Sequence, residues 1–148
     1  MNQPVRCVID ANVGIKRFIN DPLTPKVRSL IDTLVNPQTE IFVPDLFYIE
    51  LTNIFWKYVR AGLYTSFQVQ TDLTLLKTLP LRVVSTTDLI LPSASIAIEY
   101  QISAYDACYV ALSQQVQAPL LTLDNKMVKA LVNSTFNIVN LADFTIFP

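Results

Sequence analysis

The sequence predicts an α/β fold, with a central, mainly parallel five-stranded sheet covered by helices on both faces. Three observations carry this. Short apolar runs recur at residues 6–9, 40–43, 81–84, 118–122 and 136–139, and each reads as a strand buried on both faces. Between them lie longer stretches with apolar residues three and four apart, the pattern of helices crossing over from one parallel strand to the next. The composition agrees: of 148 residues, 51% are hydrophobic and 16% charged, which is enough apolar material for a core and excludes a disordered chain. Residues 1–148 read as one domain, without repeats, low-complexity tracts or linkers.

Taken in order, the strand at 6–9 ends at Asp10, and a helix follows through Ile19. Asp21-Pro22 and Thr24-Pro25 break it. A second helix spans 26–34, with Val27, Leu30, Ile31 and Leu34 on one face, and Asn36-Pro37 closes it. The strand at 40–43 stops at Pro44. The longest helix spans 45–61, with Leu46, Ile49, Asn53 and Ile54 on its inner face and Gly62 just past its end. Thr65 or Ser66 caps a helix to about Leu79. After the strand at 81–84, residues 87–100 are helical by pattern, and Pro92 must kink that helix or delay its start. The next helix, over 102–117, carries Asp106 beside a stripe of Ile102, Tyr105, Cys108, Tyr109 and Leu112. The strand at 118–122 leads to Asp124, which opens a helix to about Val132, and the last strand is 136–139.

Composition also limits the chemistry. Histidine is absent, so no imidazole serves as a base or a metal ligand. Cys7 and Cys108 sit in apolar contexts and read as buried thiols of a reducing cytosol, not as a disulfide framework. No apolar run reaches a membrane span and no signal peptide is evident, so the expected location is cytoplasmic with no membrane partner. A net charge of −1 gives no overall field toward nucleic acid, and any such contact needs a local patch.

Four carboxylates stand where strands end or helices begin. Asp10 follows the first strand and Asp124 the fourth; Glu50 lies in the second turn of the long helix and Asp106 at the start of its own. In an open parallel sheet, strand C-termini and helix N-termini share one edge, where ligands bind. Each residue also has a plain structural reading. Asp10 and Asp124 fit as helix N-caps, Ser103 and Asp106 resemble a capping box, and Glu50 can pair with Lys57 or face solvent. Together they form an acidic set, with Asn12, Asn53, Thr122 and Asn125 nearby. Clustered carboxylates must take up protons or a cation. Oxygen ligands without histidine or thiolate favour Mg2+ or Mn2+, and such a site suits metal-assisted hydrolysis of a phosphodiester.

The ordered segments Val8-Ile9-Asp10-Ala11-Asn12, Pro44-Asp45-Leu46 with Glu50 and Asn53, Tyr105-Asp106-Ala107 running into Tyr109-Val110-Ala111-Leu112, and Leu120-Leu121-Thr122-Leu123-Asp124 are together similar to the PIN-domain ribonucleases, particularly VapC-like toxins of type II toxin–antitoxin pairs. The resemblance covers essentially the whole chain. It implies a PIN-like three-layer α/β/α sandwich, Mg2+- or Mn2+-dependent endoribonuclease activity on RNA, homodimerisation, and neutralisation by a cognate antitoxin. It carries metal ligation and catalysis onto Asp10, Glu50, Asp106 and Asp124, with Asp10 and Asp106 central, Glu50 holding metal or orienting the attacking water, and Asn12 and Thr122 supporting. Cleavage would leave a 5′-phosphate and a 3′-hydroxyl.

Lys16, Arg17, Lys126 and Lys129 are candidates to touch RNA phosphates; their alternative is solvated helix faces. The surplus of aromatics on the long helix points to a dimer or antitoxin contact. Rival functions are a PIN-fold module that only binds RNA or protein, a housekeeping nuclease outside any toxin system, and a phosphotransfer enzyme with Asp10 as nucleophile. The last is disfavoured, because Asn12 stands where a haloacid-dehalogenase-like enzyme would place a second Asp and no adjacent acidic pair serves a receiver domain.

Overall fold

A computed structural model describes residues 3–147. Five strands, β1 (Arg6–Ile9), β2 (Glu40–Pro44), β3 (Arg82–Val84), β4 (Leu120–Thr122) and β5 (Ile138–Asn140), form one all-parallel sheet in the order β3-β2-β1-β4-β5. Register is set by pairs such as Cys7 with Ile41, Ile9 with Leu121 and Thr122 with Asn140. The central strands are apolar throughout because both faces are covered: Cys7, Val8, Ile41, Val43, Leu120 and Leu121 are fully buried. Edge strand β3 is more open, with Val83 half exposed.

The helices are α1 (Ala11–Gly14), α2 (Thr24–Asp32), α3 (Leu46–Arg60), α4 (Ser66–Thr78), α5 (Ile90–Tyr100), α6 (Ala104–Val116) and α7 (Asn125–Ala130). Right-handed crossovers put α1 to α4 on one face and α5 with α6 on the other. The packing agrees: α1 lies on α3 and α3 on α4, while α5 lies on α6, which crosses β1, β2 and β4. This is the three-layer sandwich. Between β1 and β4 the strand order reverses, and the crevice outside the carboxyl ends of those two strands is where such sheets bind ligands. Among the described residues, no helix is long and apolar enough to cross a membrane.

Several expected elements are adjusted. The first helix is short: α1 ends at Gly14 and tightens into a 3-10 turn over Ile15–Arg17, a common helix ending. Thr24-Pro25 starts a helix as well as ending a loop, because a proline in the first turn lacks only an N–H that has no partner there. Pro92 delays α5 in the same way; a 3-10 turn over Thr86–Leu89 precedes it. A capping box of Thr65 with Gln68 starts α4. Gly62 follows the end of α3 with φ +75°, the left-handed conformation that glycine adopts freely.

Two faces differ from expectation. The inner face of α3 is Phe47, Leu51 and Phe55, all buried, and Ile49 and Asn53 point outward. Both stripes have helical spacing; the fold buries the one with two phenylalanines and more apolar area. On α6, Tyr105 is exposed, whereas every residue from Ala107 to Ser113 is buried. This helix is wrapped on all sides by α5 and three strands, so no single stripe describes it.

Candidate active site

Asp10 is placed by the sheet. Its backbone N–H donates to the Leu121 carbonyl at 3.0 Å, continuing the β1–β4 ladder one residue past β1. Its side chain is 6% exposed. Oδ1 accepts from the Ala11 N–H at 2.7 Å and Oδ2 from the Thr122 hydroxyl at 2.9 Å. Thr122, fully buried, in turn accepts from Asn12 Nδ2 at 3.3 Å and from the Asp124 N–H at 3.1 Å. Asn12 Oδ1 accepts from the Leu123 N–H at 3.1 Å. One hydroxyl thus has its donor and both acceptor positions in use, and the carboxyl ends of β1 and β4 are tied together at the switch point.

The other acids arrive from helices. Glu50 projects from the second turn of α3, where side chains lean back toward the helix start. Its Oε1 accepts from the Tyr109 hydroxyl at 2.6 Å. Asp106 lies in the first turn of α6, its N–H donating to the Ser103 hydroxyl at 3.0 Å. Asp124 caps α7, Oδ1 accepting from Lys126 N–H at 2.9 Å and Met127 N–H at 3.2 Å. The plain capping roles of Asp10 and Asp124 are therefore real; capping engages only Oδ1 of each, Asp10 Oδ2 being held by Thr122, and does not exclude a second role. Glu50 does not pair with Lys57.

The electrostatics show that these acids share one region. Burial pushes the Asp10 carboxyl up to about 7, the charges of Asp106 and Glu50 add to it, and the bonds from Thr122 and Ala11 hold it back. Burial also raises Glu50, with Asp106 adding and the Tyr109 bond opposing. Asp106 is raised by burial and by the charge of Asp124, against the Ser103 bond. Asp10, Glu50 and Asp106 thus each feel at least one other carboxylate. Among the described residues, no three acidic side chains are drawn close enough to hold a metal ion as they stand. The donor set, all oxygen and short of positive charge, fits a hard divalent cation held by Asp10, Asp106, Glu50 and Asp124.

The expected basic contacts are less uniform. Lys16 Nζ pairs with Asp21 Oδ2 at 2.8 Å and is committed to that ion pair. The Arg17 guanidinium lies 5.7 Å from the Phe18 ring centre, and its buried Nε has no hydrogen-bond partner among the described residues. Lys126 and Lys129 stand exposed on α7, next to Asp124. Tyr109, absent from the expected site residues, was hidden in an apolar stripe. The available signal was general: a buried tyrosine needs a partner for its hydroxyl, and Glu50 supplies one. Both cysteines are buried free thiols; burial pushes Cys7 up to about 12.

Comparison with known proteins places the chain in a family. Over 128 residues the chain is 27% identical to Ribonuclease VapC3 of Pyrobaculum aerophilum, covering 84% of this chain and 94% of the relative. Among solved structures, a protein of Pyrobaculum aerophilum superposes with a TM-score of 0.65 at 20% identity, covering 95% of this chain and 93% of that one. A chain of a toxin–antitoxin complex from Klebsiella pneumoniae superposes with a TM-score of 0.62 at 18% identity, covering 91% and 97%. The PIN domain family model matches residues 7–131, from β1 through α7. That span includes Asp10, Glu50, Asp106 and Asp124, and the chain belongs to the PIN domain family.

Proposed function

We propose that this protein is an Mg2+- or Mn2+-dependent endoribonuclease and the toxin of a toxin–antitoxin pair. The observation that carries the reading is the gathering of Asp10, Glu50 and Asp106 at the switch-point edge, each raised by burial and by a neighbouring carboxylate, with Asp124 acting on Asp106. Asp10 is buried and Glu50 and Asp106 are half-buried, so their charges are costly on their own, and a site built this way is suited to a cation. Asp10 and Asp106 are the central ligands, with Glu50 and Asp124 completing the set. When bound, such a cation neutralises phosphate charge and lowers the barrier to water attack. The chain's own residues do the rest. Thr122 and the Ala11 amide fix the Asp10 carboxylate, and Tyr109 fixes Glu50 so that its free oxygen orients the attacking water. Water adds to phosphorus, the bond to the 3′ oxygen breaks, and the products are a 5′-phosphate and a 3′-hydroxyl. Of the four basic residues named from the sequence, Lys126 and Lys129 are the exposed ones, and they are placed to approach phosphates.

The relative named as a ribonuclease and the neighbour solved as a toxin–antitoxin complex support this reading. So does the exposed apolar surface of Ile90, Leu91 and Ile98 on α5, which suits a protein contact, either a homodimer or a cognate antitoxin. The expected setting is the cytoplasm. The test is cleavage of RNA by purified protein with Mg2+, Mn2+ or chelator, beside Asp10→Asn and Asp106→Asn. Metal-dependent cleavage lost in both variants is expected; equal cleavage by the variants would sink the mechanism.

A further inference from the structure

The outward face of α3 carries a cleft of about 570 Å³ lined by Ile49, Glu50, Thr52, Asn53, Trp56 and the first-turn residue of α6, Tyr105. Three of these are large apolar side chains left open: Ile49 is 68% exposed, Trp56 52% and Tyr105 67%. Polar groups interrupt them. The Asn53 side chain is exposed and makes no hydrogen bond among the described residues. Glu50 stands at one end, bonded to Tyr109 and coupled to Asp10 and Asp106, so the cleft and the acidic site share a wall. Lys57 and Arg60 lie outside the cleft and line a separate hollow further along α3, and the Arg60 guanidinium lies 4.9 Å from the Trp56 ring centre.

We propose that this cleft is a nucleobase-stacking subsite for single-stranded RNA, with Trp56 and Tyr105 as the stacking rings, Asn53 toward the base edge, and Arg60 and Lys57 toward the backbone. The inference rests on the ribonuclease reading and adds to it a site for the bases of the substrate. Aromatic rings beside a basic groove are the usual platform for unpaired bases. Glu50 and Trp56 are six residues apart on α3, about 9 Å along its axis, which places the rings beside the acidic site. A protein partner would be better matched by the exposed Ile90, Leu91 and Ile98 of α5 than by a cleft with Glu50 in its wall and Arg60 beside its tryptophan. Paired bases present no free ring faces, so duplex RNA is excluded from this subsite.

Trp56 is the chain's only tryptophan, so its fluorescence reads the site directly. The experiment titrates the chain in chelator, where nothing is cleaved, with single-stranded hexa-adenylate and with a duplex of equal charge. Saturable quenching by the single strand alone is expected. In parallel, labelled hexa-adenylate should bind Trp56→Ala and Tyr105→Ala roughly tenfold more weakly, with KM for RNA raised and kcat largely kept, and Trp56→Phe should recover most of the binding. Circular dichroism confirms the fold of each variant, and quenching in the unaltered chain decides the matter if a variant fails to fold. Metal-dependent cleavage together with unquenched fluorescence and unchanged KM in the variants would overturn the subsite and leave the ribonuclease standing. Absence of both binding and cleavage would remove the two together. Loss of a dimer in Trp56→Ala on sedimentation, without quenching in the unaltered chain, would assign the face to a second copy and overturn the proposal.

Discussion

The Tyr109 hydroxyl donates to Glu50 Oε1 at 2.6 Å, joining α6 to α3 across the carboxyl edge of the sheet. These helices belong to opposite layers, so one bond couples the packing of the sandwich to the geometry of the acidic site. Tyr109 is itself fully buried, and burial together with the Glu50 charge holds its hydroxyl protonated. Tyr109→Phe keeps the ring and removes only the donor. It should destabilise the protein by about 1.5–3 kcal/mol in urea unfolding, the range for a hydrogen bond to a charged group, and weaken Mg2+ binding measured by calorimetry. Unchanged stability and unchanged Mg2+ affinity would show that Glu50 is positioned by something else.

Thr122 supports a second prediction. Thr122→Val preserves shape but leaves Asp10 Oδ2 without its donor and Asn12 Nδ2 and the Asp124 N–H without their acceptor. A loss of about 2–4 kcal/mol is expected from several buried groups unpaired at once. Thr122→Ser should restore most of it. If valine and serine behave alike in urea unfolding, the network carries no such weight.

The pH dependence of the metal-free protein follows from Asp10. In the unfolded chain this carboxyl ionises near 3.8, and in the fold at about 7. Below the lower value both states are protonated and the stabilising contribution is complete. As pH rises between the two, the unfolded state releases the proton that the fold retains, so stability falls by about 1.4 kcal/mol per pH unit and levels off above 7. A bound divalent cation favours the ionised form and opposes the loss. Thermal melts should therefore show a larger Mg2+ stabilisation at pH 8 than at pH 5; equal shifts would argue against a carboxylate-held cation.

Asp10→Asn removes the buried charge. The metal-free variant at pH 8 should melt several degrees above the unaltered chain, a gain on the order of 1–2 kcal/mol, while losing both the Mg2+ response and RNA cleavage. A variant that is inactive and also less stable would show that the Thr122 bond outweighs the buried charge.

Gly14 marks the contact of α1 with α3. A Cβ there would meet Phe47 Cζ at 2.6 Å and Cε2 at 2.8 Å, and Phe47 is 1% exposed. Gly14→Ala gains about 1 kcal/mol of helix propensity but must displace a packed ring, at about 1–3 kcal/mol. Net destabilisation in urea is expected. Since Asp10 opens α1, a displaced helix should also lower activity.

What the sequence determined by itself was local. Five apolar runs and the helical spacing between them specify strands, helices and the parallel α/β class, because burial on both faces removes the polar alternation. Asp10 and Asp124 were legible as acids at strand ends, since their positions follow from where a strand stops. Tertiary structure decided the rest. On α3 two stripes had helical spacing, and only packing on α1 and β2 selected Phe47, Leu51 and Phe55, turning Ile49, Asn53 and Trp56 outward to form a cleft. Tyr109 reads as one more apolar residue until Glu50, distant in sequence, is placed beside it. Lys16 reads as a free cation until Asp21 folds back upon it. Periodicity records how much of a residue is buried; which partner it meets depends on contacts between distant segments, and those exist only once the layers close.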